Sequence, residues 1–593
     1  MKMKHIFAVA LVLALCLSFV SCTAKPQTSA DADPSARTET EAQSNESAET
    51  ADTEPETETA QTPAADDTMA QTADEGTAIT LQADDEKVKI TQGGVYTVTG
   101  TLTDGQIQID AGTEAVTLIL SGVELNCSTD NAIEGKGTGT VTIRLAEGTE
   151  NTVTTPAGLD SYAAISVAGD LTLTGSGTLT VAAASGTGIK ADGAVTVESG
   201  TYNIYSENNG IKGDCGVTVS GGDFTIACAE DGIKTDADLQ GDLTITGGTF
   251  RITAGDDAIQ SESDLLISGG DFTLTTNGGS AAAPVKAQDG FGGPFGWGDS
   301  TGTDSETDDL SAKGLKAEGT LTVSGGTFTL DTYDDGVHTN GDLHISGGTF
   351  TIAAGDDAVH ADGTLHITGG EITVTYCNEG LEGAVITIDD GMVDITSYDD
   401  GINAAGDGEI TLTINGGTVT IDAAGDGLDS NGDMYLNGGY ILVSGAENSG
   451  NGAIDYASES RRELVITGGT LIAAGMSGMA ESASWNSTQP SALVAFDSAL
   501  PAGTEVTVTD ESGSVILTFT AAKSFNALNL SCGEFVLGGT YTVEAGGLSQ
   551  SFTFDAVTVT AGAVGGMGGM GGMGGQPGGM QGGGPGGMGG PGR

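Results

Sequence analysis

A Gly–Gly pair followed by a short alternating segment recurs along most of this chain, and it limits the possible folds more than any other feature. One copy reads LHISGGTFTI (343–352). Steps of 22 residues are commonest, beside steps of 21, 26 and 30. A repeat of this length made of short strands predicts a solenoid. The copies are 220–224, 246–250, 268–272, 324–328, 346–350, 368–372, 415–419, 437–441 and 467–471, with a degenerate copy at 389–393.

Each copy reads as a strand, the Gly–Gly turn, a second strand, an acidic turn and a short third strand. Three short strands per repeat are typical of a right-handed parallel β-helix, here with about 22 residues per turn. The alternation places Leu343, Ile345, Phe350, Ile352 and Val359 inside. Equivalent residues stack about 4.8 Å apart, which predicts an internal column of Phe224, Phe250, Phe272, Phe328 and Phe350.

The two ends of the chain lack this pattern. Residues 1–22 have a basic start and an apolar stretch, and they resemble a bacterial lipoprotein signal, which implies lipidation of Cys22. Ordinary secretion is the alternative, so an extracellular location is expected in either case. The acidic Thr/Glu/Ala segment 23–78 and the Gly/Met-rich tail 565–593 lack the apolar residues of a core and are expected to be disordered.

The repeat defines the remaining boundaries. We expect the β-helix over 79–489, interrupted by a long insertion at 277–312, and a small β cap over 490–564 that protects the end of the solenoid. The cap is predicted from the segments 512–532 and 538–547, which no longer follow the period.

The composition excludes several classes of partner. The formal net charge is −63, with only 19 Lys and Arg residues, so binding to nucleic acid or to an anionic membrane surface is not expected. The only membrane association predicted is the lipid anchor, and a monomer is expected. The cysteines after Cys22 are five in number and lack CxxC spacing, so they predict free thiols with no disulfide framework.

Acidic residues recur at the turn before the third strand. Like charges about 4.8 Å apart repel by roughly 1–3.5 kcal/mol per neighbour, so stacked acids favour a bound cation. Ca²⁺ prefers six to eight oxygen ligands, whereas zinc is not expected, because Cys/His spacing is absent. The alternative is that Asp before Gly only forms a good turn. The predicted Ca²⁺ ligands are Asp231, Asp256, Asp257, Asp334, Asp335, Asp356, Asp357, Glu379, Asp399, Asp400, Asp426 and Asp429.

Alignment on that turn gives two columns. The first column is Thr187, Asn209, Asp231, Asp257, Lys313, Asp335, Asp357, Glu379, Asp400, Asp426 and Asn451. The second is Lys190, Lys212, Lys234, Gln260, Lys316, His338, His360, Glu382, Asn403, Asp429 and Asp455. We interpret its bases as a track for an acidic polymer, with charge balance against the acids as the alternative. The predicted ligand-binding residues are Lys190, Lys212, Lys234, Lys316, His338 and His360.

The segments 93–110, the units SGGTFTI and GDDAVHADG, and the closing AAKSF and GGTYTVEAGG resemble a bacterial family of carbohydrate-binding β-helix proteins. The resemblance covers about residues 79–550. It implies an extracellular, Ca²⁺-containing parallel β-helix, similar in shape to pectate lyases, that binds polygalacturonate. The aromatic residues Phe291, Phe295 and Trp297 in the insertion are further candidates for stacking on sugar.

Two other functions remain open from the sequence. A Ca²⁺-dependent pectate lyase needs a base, and Lys212 is the best candidate because its neighbours Lys190 and Lys234 favour loss of its proton. No local signature fixes such a base, so binding without cleavage is preferred. The spacer, the lipid anchor and the solenoid also fit a surface adhesin or stalk without a glycan ligand.

Overall fold

The computed structural model describes residues 76–158, 162–236, 239, 241–285 and 311–562. The predicted signal segment with Cys22, nearly all of the acidic spacer, the Gly/Met tail and the insertion aromatics Phe291, Phe295 and Trp297 lie outside the described residues.

Strands of successive repeats pair in parallel and form a β-solenoid of about 15 turns, with about 23 residues per turn. The predicted all-β parallel helix is therefore confirmed. The strands lie on three faces, which we call A, B and C in the order in which the chain visits them after β7.

Face A carries the strand before the Gly–Gly turn. Its strands are β1 (Thr77–Leu81), β7 (Val141–Leu145), β10 (Leu171–Gly175), β13 (Val195–Val197), β16 (Val217–Val219), β19 (Leu243–Ile245), β22 (Leu265–Ile267), β25 (Leu321–Val323), β28 (Leu343–Ile345), β35 (Thr411–Ile414), β38 (Asp433–Leu436) and β41 (Leu464–Ile466). Two long strands span faces A and B: β3 (Gly94–Leu102) and β5 (Val116–Asn126).

Face B carries the strand after the Gly–Gly turn. Its strands are β8 (Glu150–Thr155), β11 (Thr178–Ala183), β14 (Thr201–Ser206), β17 (Asp223–Cys228), β20 (Thr249–Ala254), β23 (Asp271–Thr276), β26 (Thr327–Thr332), β29 (Thr349–Ala354), β31 (Glu371–Tyr376), β33 (Met392–Ser397), β36 (Thr418–Ala423), β39 (Tyr440–Ser444) and β42 (Thr470–Gly475).

Face C carries the short strand after the acidic turn. Its strands are β2 (Lys87–Ile90), β4 (Gln106–Ile109), β6 (Ile133–Gly135), β9 (Tyr162–Val167), β12 (Gly186–Ala191), β15 (Ile211–Gly213), β18 (Ile233–Thr235), β21 (Ile259–Ser261), β24 (Leu315–Ala317), β27 (Val337–Thr339), β34 (Ile402–Ala404), β37 (Leu428–Ser430) and β40 (Ile454–Asp455). Two strands continue from face C to face A: β30 (Val359–Ile367) and β32 (Leu381–Ile388).

The core consists mainly of Leu, Ile, Val and Ala, and it contains one stack of identical aromatic side chains. Phe224, Phe250, Phe272, Phe328 and Phe350 are buried, with successive ring centroids 4.4–4.8 Å apart. Tyr202 extends the stack by one turn at 5.3 Å. The predicted inward residues Leu343, Ile345, Ile352 and Val359 are also buried. Each turn thus covers the apolar surface of the next, which is the main source of stability in a solenoid.

The Gly–Gly pair follows from this stacking. Gly248 has φ of 116°, a conformation that residues with a Cβ rarely adopt. A Cβ on Gly248 would also lie 3.2 Å from the ring of Phe250. A Cβ on Gly247 would lie 2.9 Å from the carbonyl oxygen of Ser220 in the previous turn. The pair therefore serves the turn and the aromatic stack.

An antiparallel cap closes the C-terminal end of the solenoid, as predicted. Strand β42 pairs antiparallel with β46, so the parallel ladder ends there. Strand β46 also pairs with β43, and β43 pairs with β49, so these two strands join the main sheet through β46, whereas the other four cap strands form a separate sheet in the order β45-β44-β47-β48. The cap strands are β43 (Ser491–Leu500), β44 (Glu505–Asp510), β45 (Val515–Thr520), β46 (Phe525–Ser531), β47 (Thr540–Ala545), β48 (Leu548–Thr553) and β49 (Thr558–Ala561).

Helix is almost absent. The described residues contain two 3₁₀ turns, Ser280–Ala282 and Ser458–Ser460. Within these described ranges, none of the helical segments has the length and apolar character that crossing a bilayer would require.

Candidate functional site

The outward position of face C is one continuous column. Strand pairing places the predicted second column in register from Lys190 to Asp455, with one residue per turn and each residue paired to the next. The column continues upstream through Ser166, Glu134, Gln108 and Lys89. The alignment of repeats in the sequence therefore gave the correct spatial order on this face.

Acids of the first column act as hydrogen-bond acceptors between turns. Asp231 Oδ1 accepts the backbone N–H of Asp257 at 3.1 Å, and Asp257 Oδ1 accepts the N–H of Lys313 at 2.8 Å. Asp335 Oδ1 accepts the N–H of Asp357 at 3.0 Å in the same way. These carboxylates satisfy donors at the turn, where the sheet ladder is interrupted. This contact supports the turn-forming alternative for one oxygen of each acid.

One position of the first column differs from the alignment. In the structure, the position of the first column one turn after Asp426 is occupied by Gly452 and not by Asn451. The backbone N–H of Gly452 donates to Asp426 Oδ1. The pairing of Leu428 with Ile454 fixes this register. The loop before β40 is longer than the equivalent loop in other turns. The register of this turn is therefore set by the buried residue Ile454 and not by the polar residue Asn451.

The glycine after each acid also has a packing role. A Cβ on Gly232 would lie 2.4 Å from the carbonyl oxygen of Ala258 and 2.5 Å from Cγ2 of Ile252. The Asp–Gly dipeptide thus arises from close stacking of turns as well as from turn propensity.

The lysines of the second column lie between two sets of acids. Lys234 Nζ is 2.9 Å from Asp231 Oδ2 and 3.4 Å from Glu262 of the next turn. Lys212 Nζ is 2.6 Å from Asp236 and 3.5 Å from Asp214. The acids that lie two residues after positions of the second column were not predicted as part of the site. The recurring sequence pattern Lys-x-Asp/Glu could have identified them. They are Asp192, Asp214, Asp236, Glu262, Glu318 and Asp362.

These ion pairs keep the neighbouring lysines charged. Burial lowers the pKa of Lys190, but hydrogen bonds to Asp192 and Asp214 outweigh it and leave the pKa raised. The pKa of Lys234 is also raised, because Asp231 and Glu262 outweigh its burial. The charge-balance alternative accounts for these contacts, and the two ion pairs of Lys212 oppose its use as a free base.

Two histidines take the place of lysine in the next turns. His338 Nδ1 is 2.8 Å from Asp335 Oδ2, and its Nε2 is 2.9 Å from Asn340 Oδ1. Burial opposes the charge on His338, but the hydrogen bond to Asp335 raises its pKa overall. Burial likewise opposes the charge on Asp335, but His338 and Lys313 outweigh it and lower its pKa. The ring of His360 lies 4.9 Å from that of His338, centroid to centroid.

After His360 the two columns become acidic. Burial, reinforced by neighbouring carboxylates, raises the pKa of Glu379 to about 7, of Asp400 to about 9 and of Asp429 to about 8. Burial also raises the pKa of Asp426 to about 7. Within the described ranges, these four acids form no ion pair with Lys, Arg or His. A bound cation would stabilise the ionised forms of these acids, which burial and the neighbouring carboxylates disfavour.

The predicted Ca²⁺ ligands come together only in part. Asp231, Asp256 and Asp257 each place an oxygen within 4.8 Å of the others, as do Asp334, Asp335 and Asp356. Oxygen-only donor sets fit Ca²⁺. In the first set, Asp256 Oδ1 is buried without a hydrogen-bond partner, and burial together with Asp257 raises the pKa of Asp256 to about 7.

The other predicted ligands do not form such oxygen clusters in the described part of the chain. Asp357 belongs to a set with His360 and Glu382. The remaining acids, Glu379, Asp399, Asp400, Asp426 and Asp429, are spread over successive turns and do not meet at one point.

Together these features define a class of protein: a repeat β-solenoid that presents charged groups at a fixed interval along one face. The chain belongs to the carbohydrate-binding domain family. The family model described as "Carbohydrate-binding domain-containing protein" matches residues 84–358 and 356–547. The resemblance seen in the repeats is therefore confirmed at the level of a carbohydrate-binding family, and a glycan is the implied partner.

Two proteins are similar to parts of this chain. A "Carbohydrate-binding domain-containing protein" of Acetivibrio thermocellus is 36% identical over 133 residues, which are 21% of this chain and 46% of that protein. The chain thus spans about half the length of this relative. A solved structure, described as "Structure of the polysaccharide lyase-like protein from C. thermocellum, Gadolinium derivative", is 32% identical. The match covers 34% of this chain and 92% of that one, with a TM-score of 0.33.

Proposed function

We propose that this protein binds acidic polysaccharide of the polygalacturonate type along face C, with Ca²⁺ bridging the carboxylates of protein and glycan. The observation that carries the proposal is the single register of face C. Polar side chains, most of them charged, stand in line at intervals of about 4.8 Å from Lys89 to Asp455, which suits an extended polymer with repeating charges.

Ca²⁺ is needed in this proposal because of the sign of the protein's charge. The formal net charge is −63, and the column lysines are already paired with acids. A polyanion would be repelled by such a surface without a bridging cation. The oxygen clusters around Asp256 and Asp356 and the acidic turns from Glu379 to Asp429 are the groups that would hold it.

The proposal is binding without cleavage. A lyase base must be free to reach a proton of the substrate, whereas Lys212 Nζ is engaged by the carboxylates of Asp236 and Asp214 at 2.6 and 3.5 Å. We also propose that the protein is extracellular and anchored through Cys22, which metabolic labelling with a fatty acid would test against Cys22→Ser.

Affinity electrophoresis tests the function. The protein is run through native gels that contain polygalacturonate, with Ca²⁺ and then with EGTA, beside gels that contain neutral dextran. We expect retardation by polygalacturonate that EGTA abolishes, and none by dextran. Migration that polygalacturonate leaves unchanged with Ca²⁺ would refute the proposal. A rise in absorbance from unsaturated uronide products would show that the protein cleaves the glycan, and the function would then be that of a lyase.

A further inference from the structure

Histidine nitrogen and two carboxylates meet where the basic and acidic parts of face C join. His360 Nδ1 is 3.4 Å from Asp357 Oδ2 and 3.5 Å from Glu382 Oε2. The three donor atoms all lie within 4.8 Å of one another. Asp357 is buried, whereas the side chains of His360 and Glu382 are 23% and 25% exposed, so the group can be reached from solvent.

The spacing of these atoms matches the geometry of a small dication. Zinc binds nitrogen at 2.0–2.1 Å and carboxylate oxygen at 2.0–2.2 Å in a tetrahedron. Two ligands on one tetrahedral edge are then roughly 3.3–3.5 Å apart. The two measured separations from His360 Nδ1 fall at this value without rearrangement.

The second nitrogen of His360 supports the same assignment. Nε2 lies 3.4 Å from Asp362 Oδ1. Metal-binding histidines usually donate this second N–H to a carboxylate or carbonyl, which fixes the tautomer and directs the other nitrogen to the metal. A proton on Nε2 leaves the lone pair of Nδ1 facing Asp357 and Glu382.

The charges around Asp357 favour a cation there. Asp357 is buried, and the carboxylates of Asp335 and Glu382 also lie near His360 Nδ1, at 4.0 and 3.5 Å. A bound dication would offset the repulsion among these neighbouring carboxylates.

We propose that Asp357, His360 and Glu382 form a site for a borderline transition-metal dication, with zinc as its probe and a fourth position open to water or an external ligand. The site is distinct from the oxygen-only Ca²⁺ clusters, because an imidazole nitrogen selects softer cations. This proposal differs from the expectation from sequence that zinc does not bind. That expectation used local Cys/His spacing, whereas residues 357, 360 and 382 come from two turns and meet only through stacking.

The metal alone tests this proposal, without any glycan. The full chain is freed of metal with EDTA, desalted, and titrated with Zn²⁺ by calorimetry in excess Ca²⁺, which occupies the oxygen-only sites. We expect a Zn²⁺ site that His360→Gln abolishes and Glu382→Gln weakens at least tenfold. Asp362→Asn should weaken binding by about 10–100-fold through the orientation of His360.

His366→Gln is the matched control. His366 is also an outward histidine, but it lies on face A and contacts a single carboxylate, Asp389, at 2.8 Å. This variant should bind Zn²⁺ as the unmodified protein does. Equal Zn²⁺ affinity in His360→Gln and His366→Gln, or no Zn²⁺ binding to the unmodified protein, would overturn the proposal. Glu382→Gln and the exposed Asp362→Asn keep the test valid if His360→Gln fails to fold.

Discussion

Asn209 Oδ1 accepts the backbone N–H of Asp231 at 3.2 Å, in the same arrangement by which Asp231 accepts the N–H of Asp257 one turn later. An amide and a carboxylate are therefore equivalent at this position. At these turns of the first column the acceptor oxygen is the shared feature, and the negative charge is an addition to it.

Asp400 allows the role as a hydrogen-bond acceptor to be separated from the role as an ionisable group. Its Oδ1 accepts the N–H of Asp426 at 2.6 Å, and no base pairs with it in the described ranges. We expect Asp400→Ala to destabilise the protein by about 1–3 kcal/mol, because the N–H of Asp426 loses its partner. Asp400→Asn keeps the acceptor and cannot ionise, so it should match or exceed the parent protein in EGTA. Urea unfolding measures both, and equal losses would contradict this account.

Stability in EGTA should fall as pH rises from about 5 to 9. The pKa values of Glu379 (about 7), Asp426 (about 7), Asp429 (about 8) and Asp400 (about 9) lie above the value of about 4 expected in the unfolded chain. The native protein then holds protons that the unfolded chain has released, so deprotonation favours unfolding. Ca²⁺ should reduce the fall. Thermal unfolding at each pH measures it, and a rise in stability over this window would exclude the explanation.

The aromatic stack predicts a graded effect at Phe250. Phe250 is fully buried between Phe224 and Phe272, with centroids 4.8 and 4.7 Å away. We expect Phe250→Ala to cost about 3–5 kcal/mol and Phe250→Leu clearly less, since leucine fills more of the space. The free energy of unfolding in urea is the measurement. Indistinguishable losses in the two variants would mean that the site collapses around the cavity.

Lys212 and Arg251 form a matched pair for the glycan proposal. Each substitution to Gln removes one positive charge, but Lys212 lies on face C and Arg251 is exposed on face B. Lys212→Gln should reduce retardation in polygalacturonate gels with Ca²⁺, and Arg251→Gln should not. Equal retardation of both variants would show that this lysine only balances charge.

Much of the fold was predictable because the repeat period fixes register. The inward positions and the phenylalanine stack follow from alternation and a step of 22 residues. The slip from Asn451 to Gly452 shows the limit, because the loop before β40 changes length and only the burial of Ile454 determines the register.

The candidate site was predictable in position but less so in contacts. The sequence placed Lys212 and Lys234 in one column, yet it did not show that they reach acids of the following turn, Asp236 and Glu262. Those contacts depend on side-chain direction across stacked turns. The orientation of His360 Nδ1 toward Glu382 depends on the same geometry.

Backbone hydrogen bonds set the interval between charges on face C, and this makes the solenoid a molecular ruler. A ligand whose charges repeat at a commensurate distance can engage several turns at once, and it can shift by whole turns where neighbouring turns carry the same kind of side chain, as at Lys190, Lys212 and Lys234. Affinity should then grow with the length of the oligosaccharide through multivalency and the number of equivalent placements. Gain or loss of a whole repeat would change the reach of the binding face while leaving its chemistry unaltered.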